Sequence, residues 1–182
     1  MIVKFFKTPA ELRKWLEKNH EKATELWIGF YKKSSKKKGI TSAEALDEAL
    51  CFGWIDGVRN AIDEISYANR YTPRRPKSVW SKINTEKVER LTKDGLMMPA
   101  GLKAVEMAKS DGRWEKAYHS NDEVPADFLK ELKKNKAAKE FFRTLNKQKL
   151  FFITFRLQNS KKPETRERWI KKIIEMLANK TF

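Results

Sequence analysis

The chain has 182 residues, 40 of them lysine or arginine against 24 acidic, which gives a net charge of +16 and a pI near 9.9. A hydrophobic content of 40%, with six tryptophans and eleven phenylalanines, excludes a disordered chain and suffices for one well-packed domain with a highly ionised surface. Cys51 is the only cysteine and His20 and His119 the only histidines, so an intramolecular disulfide is excluded, and no metal or other cofactor is expected.

At the N-terminus, MIVKFFKTPAELRKWL has an apolar run of only a few residues and no small-residue cleavage site, and no stretch reaches membrane-spanning length. A cytoplasmic location is therefore expected. Thr8, Pro9 and Glu11 form a helix-start signature for a helix over 8–19, with Leu12, Trp15 and Leu16 at helical spacing. ELWIGFYK, 25–32, is rich in strand formers and reads as a buried strand, and KKSSKKKG, 32–39, reads as a charged loop. Thr41, Ser42 and Glu44 open a second helix that ends at Gly53, its apolar stripe formed by Ala45, Leu46, Ala49, Leu50 and Phe52.

Cys51 lies on that apolar face, which suits a small buried hydrophobe better than a nucleophile. From Trp54 the pattern turns to strand character, and residues 55–62 and 65–72 around Asp63 and Glu64 predict a β-hairpin. Beyond Ser81 only helical signals follow: 84–94, 99–110 opened by Pro99, 125–134 opened by Pro125, two helices within 136–157 broken near Asn146, and a last helix opened by Pro163. The expected fold class is thus α+β, a small N-terminal sheet with a β-hairpin packed against helices, then a mostly helical C-terminal half. One domain is expected over 1–182, with an α/β part at 1–80 and a helical part at 81–182.

The chemistry concentrates in residues 54–84, WIDGVRNAIDEISYANRYTPRRPKSVWSKIN. Pro73 and Pro76 fix their own φ and bias Thr72 and Arg75 toward extended geometry, so Arg74 and Arg75 leave a stiffened backbone. Planar guanidinium forks suit carboxylate, phosphate or an aromatic face. Two readings stay open: an anion site, or a structural ion-pair network with Asp56, Asp63 or Glu64. Asp56 is either a general base with a raised pKa or a turn residue accepting backbone N–H bonds. Trp54 and Trp80 bracket the hairpin, either stacking on a ligand or arginine or filling core.

The candidate ligand-binding set is Trp54, Asp56, Tyr71, Arg74, Arg75, Trp80 and Lys82. No GxSxG, CxxC, HExxH, Walker or GxGxxG motif occurs, and no catalytic residue is assigned. The positive field points to an anionic small molecule or acidic protein as partner. Nucleic acid, held without sequence preference by lysines 32–38 and the C-terminal basic helix, is the alternative. An enzyme using Asp56 or Cys51 beside the arginines is a third reading.

LCFGWIDG at 50–57, RYTPRRPKSVWSKIN at 70–84, GLKAVEMAKSDGRW at 101–114 and KKPETRERWI at 161–170 occur in this order. Together they resemble the YdeI/OmdA family of bacteriocin-protection or OmpD-associated proteins, over a span from Thr8 to Leu177. The resemblance implies a small bacterial α+β protein linked to tolerance of bacteriocins or cationic antimicrobial peptides, with no established catalytic set. Direct capture of a cationic peptide is electrostatically unattractive at +16, so an anionic ligand fits better.

Overall fold

The structure, a computed structural model, describes residues 2–119 and 123–182. It divides into two compact units, Met1–Ala117 and Tyr118–Phe182.

The first unit is a four-stranded sheet with helices. Its elements are β1 (Val3–Phe5), α1 (Pro9–Asn19), β2 (Leu26–Tyr31), α2 (Ser42–Cys51), β3 (Trp54–Ala61), β4 (Ser66–Pro73), α3 (Lys82–Lys93) and α4 (Pro99–Ser110). The strand order is β1-β2-β4-β3, with β1 parallel to β2 and the other pairs antiparallel. The α+β expectation and the hairpin are borne out. The short β1 was not foreseen.

Local signals explain the helix starts. The Thr8 hydroxyl accepts from Glu11 N with Pro9 at the first helical position, and Thr41 with Glu44 forms a complete capping box. Ile28, Phe30, Leu12, Leu16, Ala45, Leu50, Phe52, Trp54 and Tyr71 are buried together in one core, to which α3 adds Val88 and Leu91 and α4 adds Val105 and Ala108. The two helices after the hairpin therefore belong to the sheet-containing unit.

Two glycines set how closely α4 approaches α2. Gly53, just past the end of α2, has φ of +73°, a left-handed conformation that favours glycine, and a Cβ there would meet Ala100 O at 2.9 Å. Gly101 lies against the end of α2, where a Cβ would come within 2.2 Å of Cys51 O. That same carbonyl accepts a hydrogen bond from Met98 N at 3.0 Å.

The second unit holds α5 (Ala126–Leu132), α6 (Lys136–Phe142), α7 (Lys147–Gln158) and α8 (Pro163–Ala178) around a separate core of Phe128, Leu132, Ala138, Ile153, Leu157, Ile170, Ile173 and Leu177. Asn146 caps α7, which is the break expected near that residue. Arg166 ties α8 to α5 through a two-pronged ion pair with Asp127, at 2.6 and 2.9 Å. Among the described residues no helix is long and apolar enough to cross a membrane.

Candidate functional site

The proline-flanked arginines open onto a small cavity of about 70 Å³ lined by Arg74, Arg75, Pro76, Trp80, Ala104, Met107 and Arg113. Three guanidinium groups from two separate segments thus share one hollow. Trp80 is only 2% exposed, and the Arg74 guanidinium lies over its ring, 3.6 Å from the centroid. Arg74 also donates to Val79 O at 2.7 Å, so the aromatic ring and a backbone carbonyl fix its plane. Arg113 is held by Ser78 O at 2.8 Å and by both Asp111 oxygens at 2.8 Å. Asp111 offsets one of the positive charges. The Arg75 carbonyl accepts from Ser78 N at 3.0 Å, while its guanidinium has no hydrogen-bond or ion-pair partner among the described residues and the residue is exposed.

Buried polar atoms without a partner are costly, and here they cluster. Arg70 Nε, Tyr71 Oη, Ser78 Oγ and Trp80 Nε1 are buried without a hydrogen bond among the described residues. All four fall between residues 70 and 80, on the last half of β4 and the proline-containing turn.

A second polar group lies on β3 and β4. The register pairs Asp56 with Tyr71 and Arg59 with Asn69, so three steps on β3 match two on β4. That bulge places Asp56 and Arg59 on one face, whereas regular alternation would send them to opposite faces. Tyr71 and Asn69 share this face with Leu26 and Ile28 of β2, their register partners in the core. Arg59 donates Nε–H to Asn69 Oδ1 at 3.0 Å and lies over the Tyr67 ring at 4.5 Å. Asp56 is an exposed residue, yet its carboxyl is crowded enough that burial pushes its pKa up, against the pull of a backbone N–H, Arg59 and Arg74. Burial also pushes the Tyr71 hydroxyl well above its ordinary value, with the Asp56 charge acting in the same sense and the Asn69 side chain, close to the hydroxyl, pulling weakly against them.

Of the seven residues singled out in the sequence, Arg74, Arg75 and Trp80 line the cavity. Asp56 and Tyr71 meet on the neighbouring sheet face. Trp54 does not join them: it is buried in the core, donates its indole N–H to His20 O at 3.2 Å and meets Trp15 edge-on. Lys82 begins α3, where its carbonyl accepts from the Thr85 hydroxyl, and it does not line the cavity.

Arg113, Arg59 and Asn69 were missed. Arg113 stands 38 positions beyond Arg75 in the sequence, and only the packing of α4 brings it to the cavity. The ion-pair alternative receives little support at Asp63, whose carboxylate instead accepts from Ile65 N and the Ser66 hydroxyl. Cys51 is buried, and burial pushes its thiol pKa up, which is the reverse of what activates a nucleophile. Among the described residues no group of three or more His, Cys, Asp or Glu is placed to hold a metal ion.

Residues 4–104 match the family described as Domain of unknown function (DUF8412), which covers more than half of the chain. The chain belongs to this family. Residues 122–180 match a second family, OmdA, described as Bacteriocin-protection, YdeI or OmpD-Associated. The resemblance read from the sequence is thus shown for the helical second unit, while the DUF8412 match covers both hairpin strands, Arg74, Arg75 and Trp80. No curated protein and no solved structure matches the chain.

Proposed function

We propose that the chain is a non-catalytic binding protein whose first unit holds the oxyanion head of a small ligand, or a carboxylate of an acidic partner, among Arg74, Arg75 and Arg113. The observation that carries this reading is a cavity lined by three arginines from two separate segments and by Trp80. A bound oxyanion would receive charge-assisted hydrogen bonds from guanidinium groups at this cavity.

Size narrows the choice. A cavity of about 70 Å³ is small beside ordinary ligand pockets, so it suits a single phosphate, sulfate or carboxylate group rather than a whole nucleotide. The bulk of any larger ligand would lie outside. The description of the family matched at 122–180 supports a role in bacterial stress protection, in which the bound anion is a ligand or signal rather than a substrate. A cytoplasmic location belongs to this reading and is in keeping with a single free, buried cysteine.

Isothermal calorimetry against inorganic phosphate, sulfate, phosphorylated metabolites, oligonucleotides and anionic vesicles tests the proposal. Wild type should bind at least one anion, and Arg75→Ala combined with Arg113→Ala should weaken it at least about tenfold, equivalent to 1.4 kcal/mol. Absence of binding, or equal binding by the double variant, refutes it. Tight binding confined to oligonucleotides, unaffected by the double variant and falling steeply with salt, would instead assign the activity to the basic surface.

A further inference from the structure

The segment KKPETRERWI at 161–170 supplies nothing to the arginine cavity, yet it builds a hollow of its own within the second unit. Lys161, Lys162, Thr165 and Trp169 line a cavity of about 360 Å³ together with Phe155 and Arg156 from the end of α7. Thr165 and Trp169 stand one helical turn apart on α8 and so share a face. Two side-chain bonds fix the end of α7 that completes the wall: Asn159 Nδ2 donates to Phe155 O at 2.9 Å, and the buried Ser160 hydroxyl donates to Arg156 O at 2.8 Å.

Charge is the second sign. Arg156, Lys161 and Lys162 line the cavity and no carboxylate does; Glu164, which follows them in the sequence, is not on its wall. Other basic residues of this unit are offset by carboxylates, Arg166 by Asp127, Lys134 by Glu131 and Lys171 by Glu167, whereas the three at the cavity form no ion pair among the described residues. The Arg156 guanidinium instead lies over the Trp169 ring at 4.4 Å and the Phe152 ring at 5.4 Å, contacts that hold its plane and leave its in-plane N–H donors for an anion. Lys172 lies over the Trp169 ring at 5.3 Å and adds to the local positive charge.

We propose that this cavity is a second binding site, separate from the arginine cavity, for a phosphate monoester with an apolar body. The phosphate sits against Arg156, Lys161 and Lys162, with the guanidinium fork on two of its oxygens, and three uncompensated cations suit a dianion better than a monocarboxylate. Phe155 and Trp169 give the apolar wall that receives the rest of the molecule; a bare phosphate would leave that wall in water. At about 360 Å³ the cavity has the size of a small-molecule pocket, roughly 300–1,000 Å³. A cationic ligand would meet like charges with no carboxylate to offset them.

Calorimetry tests the site on the full chain carrying Arg75→Ala and Arg113→Ala, so that the arginine cavity contributes nothing to the signal. Phenyl phosphate should bind at least about tenfold more tightly than inorganic phosphate or phenol. Lys161→Gln combined with Lys162→Gln should weaken it at least about tenfold, whereas Lys14→Gln with Lys18→Gln, which removes the same charge from exposed positions of α1, should change it less than about twofold. Circular dichroism should confirm that each variant folds. No binding of phenyl phosphate, an affinity no better than that of inorganic phosphate, or the same effect from both lysine pairs overturns the second site. Each of these results leaves the arginine cavity to its own test.

Discussion

Gly101→Ala is the sharpest test of how the cavity wall is held. In an ordinary helix interior the change from glycine to alanine stabilises by about 1 kcal/mol through backbone entropy. Here the added Cβ would stand 2.2 Å from Cys51 O, 2.7 Å from Cys51 C and 2.8 Å from Leu50 O, all rigid backbone atoms at the end of α2. Ordinary contact needs about 3.5 Å or more, so α4 must retreat by roughly an ångström.

The retreat strains the hydrogen bond from Met98 N to Cys51 O, worth about 1 kcal/mol, and loosens Val105 and Ala108 in the core. Overpacking of this kind costs about 1–3 kcal/mol. Set against the propensity gain, the expected net loss is about 1–3 kcal/mol. Urea unfolding followed by tryptophan fluorescence measures it, since Trp15, Trp27, Trp54, Trp80 and Trp114 all lie in the first unit and only Trp169 in the second. Because α4 carries Ala104 and Met107 of the cavity wall, anion affinity should fall in the same variant. A Gly101→Ala protein as stable as wild type, or more so, would refute this account of the α2 and α4 contact.

Thr41→Ala removes the hydroxyl that accepts from Glu44 N and the partner of the Glu44 carboxylate, and should lower stability by about 1 kcal/mol in the same urea assay. Tyr71→Phe should change stability by less than about 1 kcal/mol, because the hydroxyl it removes is buried with no well-formed hydrogen bond and only the Asn69 side chain beside it; a larger loss would show that Asn69 is a full structural partner. Asp127→Asn tests the second unit. The Arg166 hydrogen bonds hold the Asp127 carboxyl below the ordinary carboxylate range, so its contribution is present above the unfolded value of about 3.9 and is lost as pH falls through the lower folded value. With the Asp127 side chain about half exposed, that contribution is at most about 1 kcal/mol. Wild type should exceed Asp127→Asn by that amount at pH 7 in helical circular dichroism, and the difference should vanish near pH 2.

Elements with a local cause were legible in the sequence, and contacts with a tertiary cause were not. The caps at Thr8, Thr41 and Asn146 and the prolines at 9, 99 and 163 mark helix starts because each acts on its own turn of backbone. β1 escaped notice because three residues carry no period of their own; they become a strand only by pairing with Trp27, Ile28 and Gly29. The same distinction divides the site. Arg74 and Arg75 stand out because the prolines around them act locally, while Arg113 reaches the cavity only through the placement of α4.

Trp54 and Trp80 carry equal weight as sequence symbols, and what separates them is where their polar edge goes. Trp54 hands its N–H to His20 O, so its burial is complete as it stands. Trp80 is just as buried with its N–H unpaired, beneath an arginine and beside a hollow. The deepest omission follows from the bulge. Strict alternation along WIDGVRNA assigns Asp56 and Arg59 to opposite faces and hides their association, and one extra residue in the ladder reverses that assignment. A residue pattern read with a fixed period of two fails at the position where the strand is irregular, and here that irregularity is what puts Arg59 on the face of Asp56 and Tyr71.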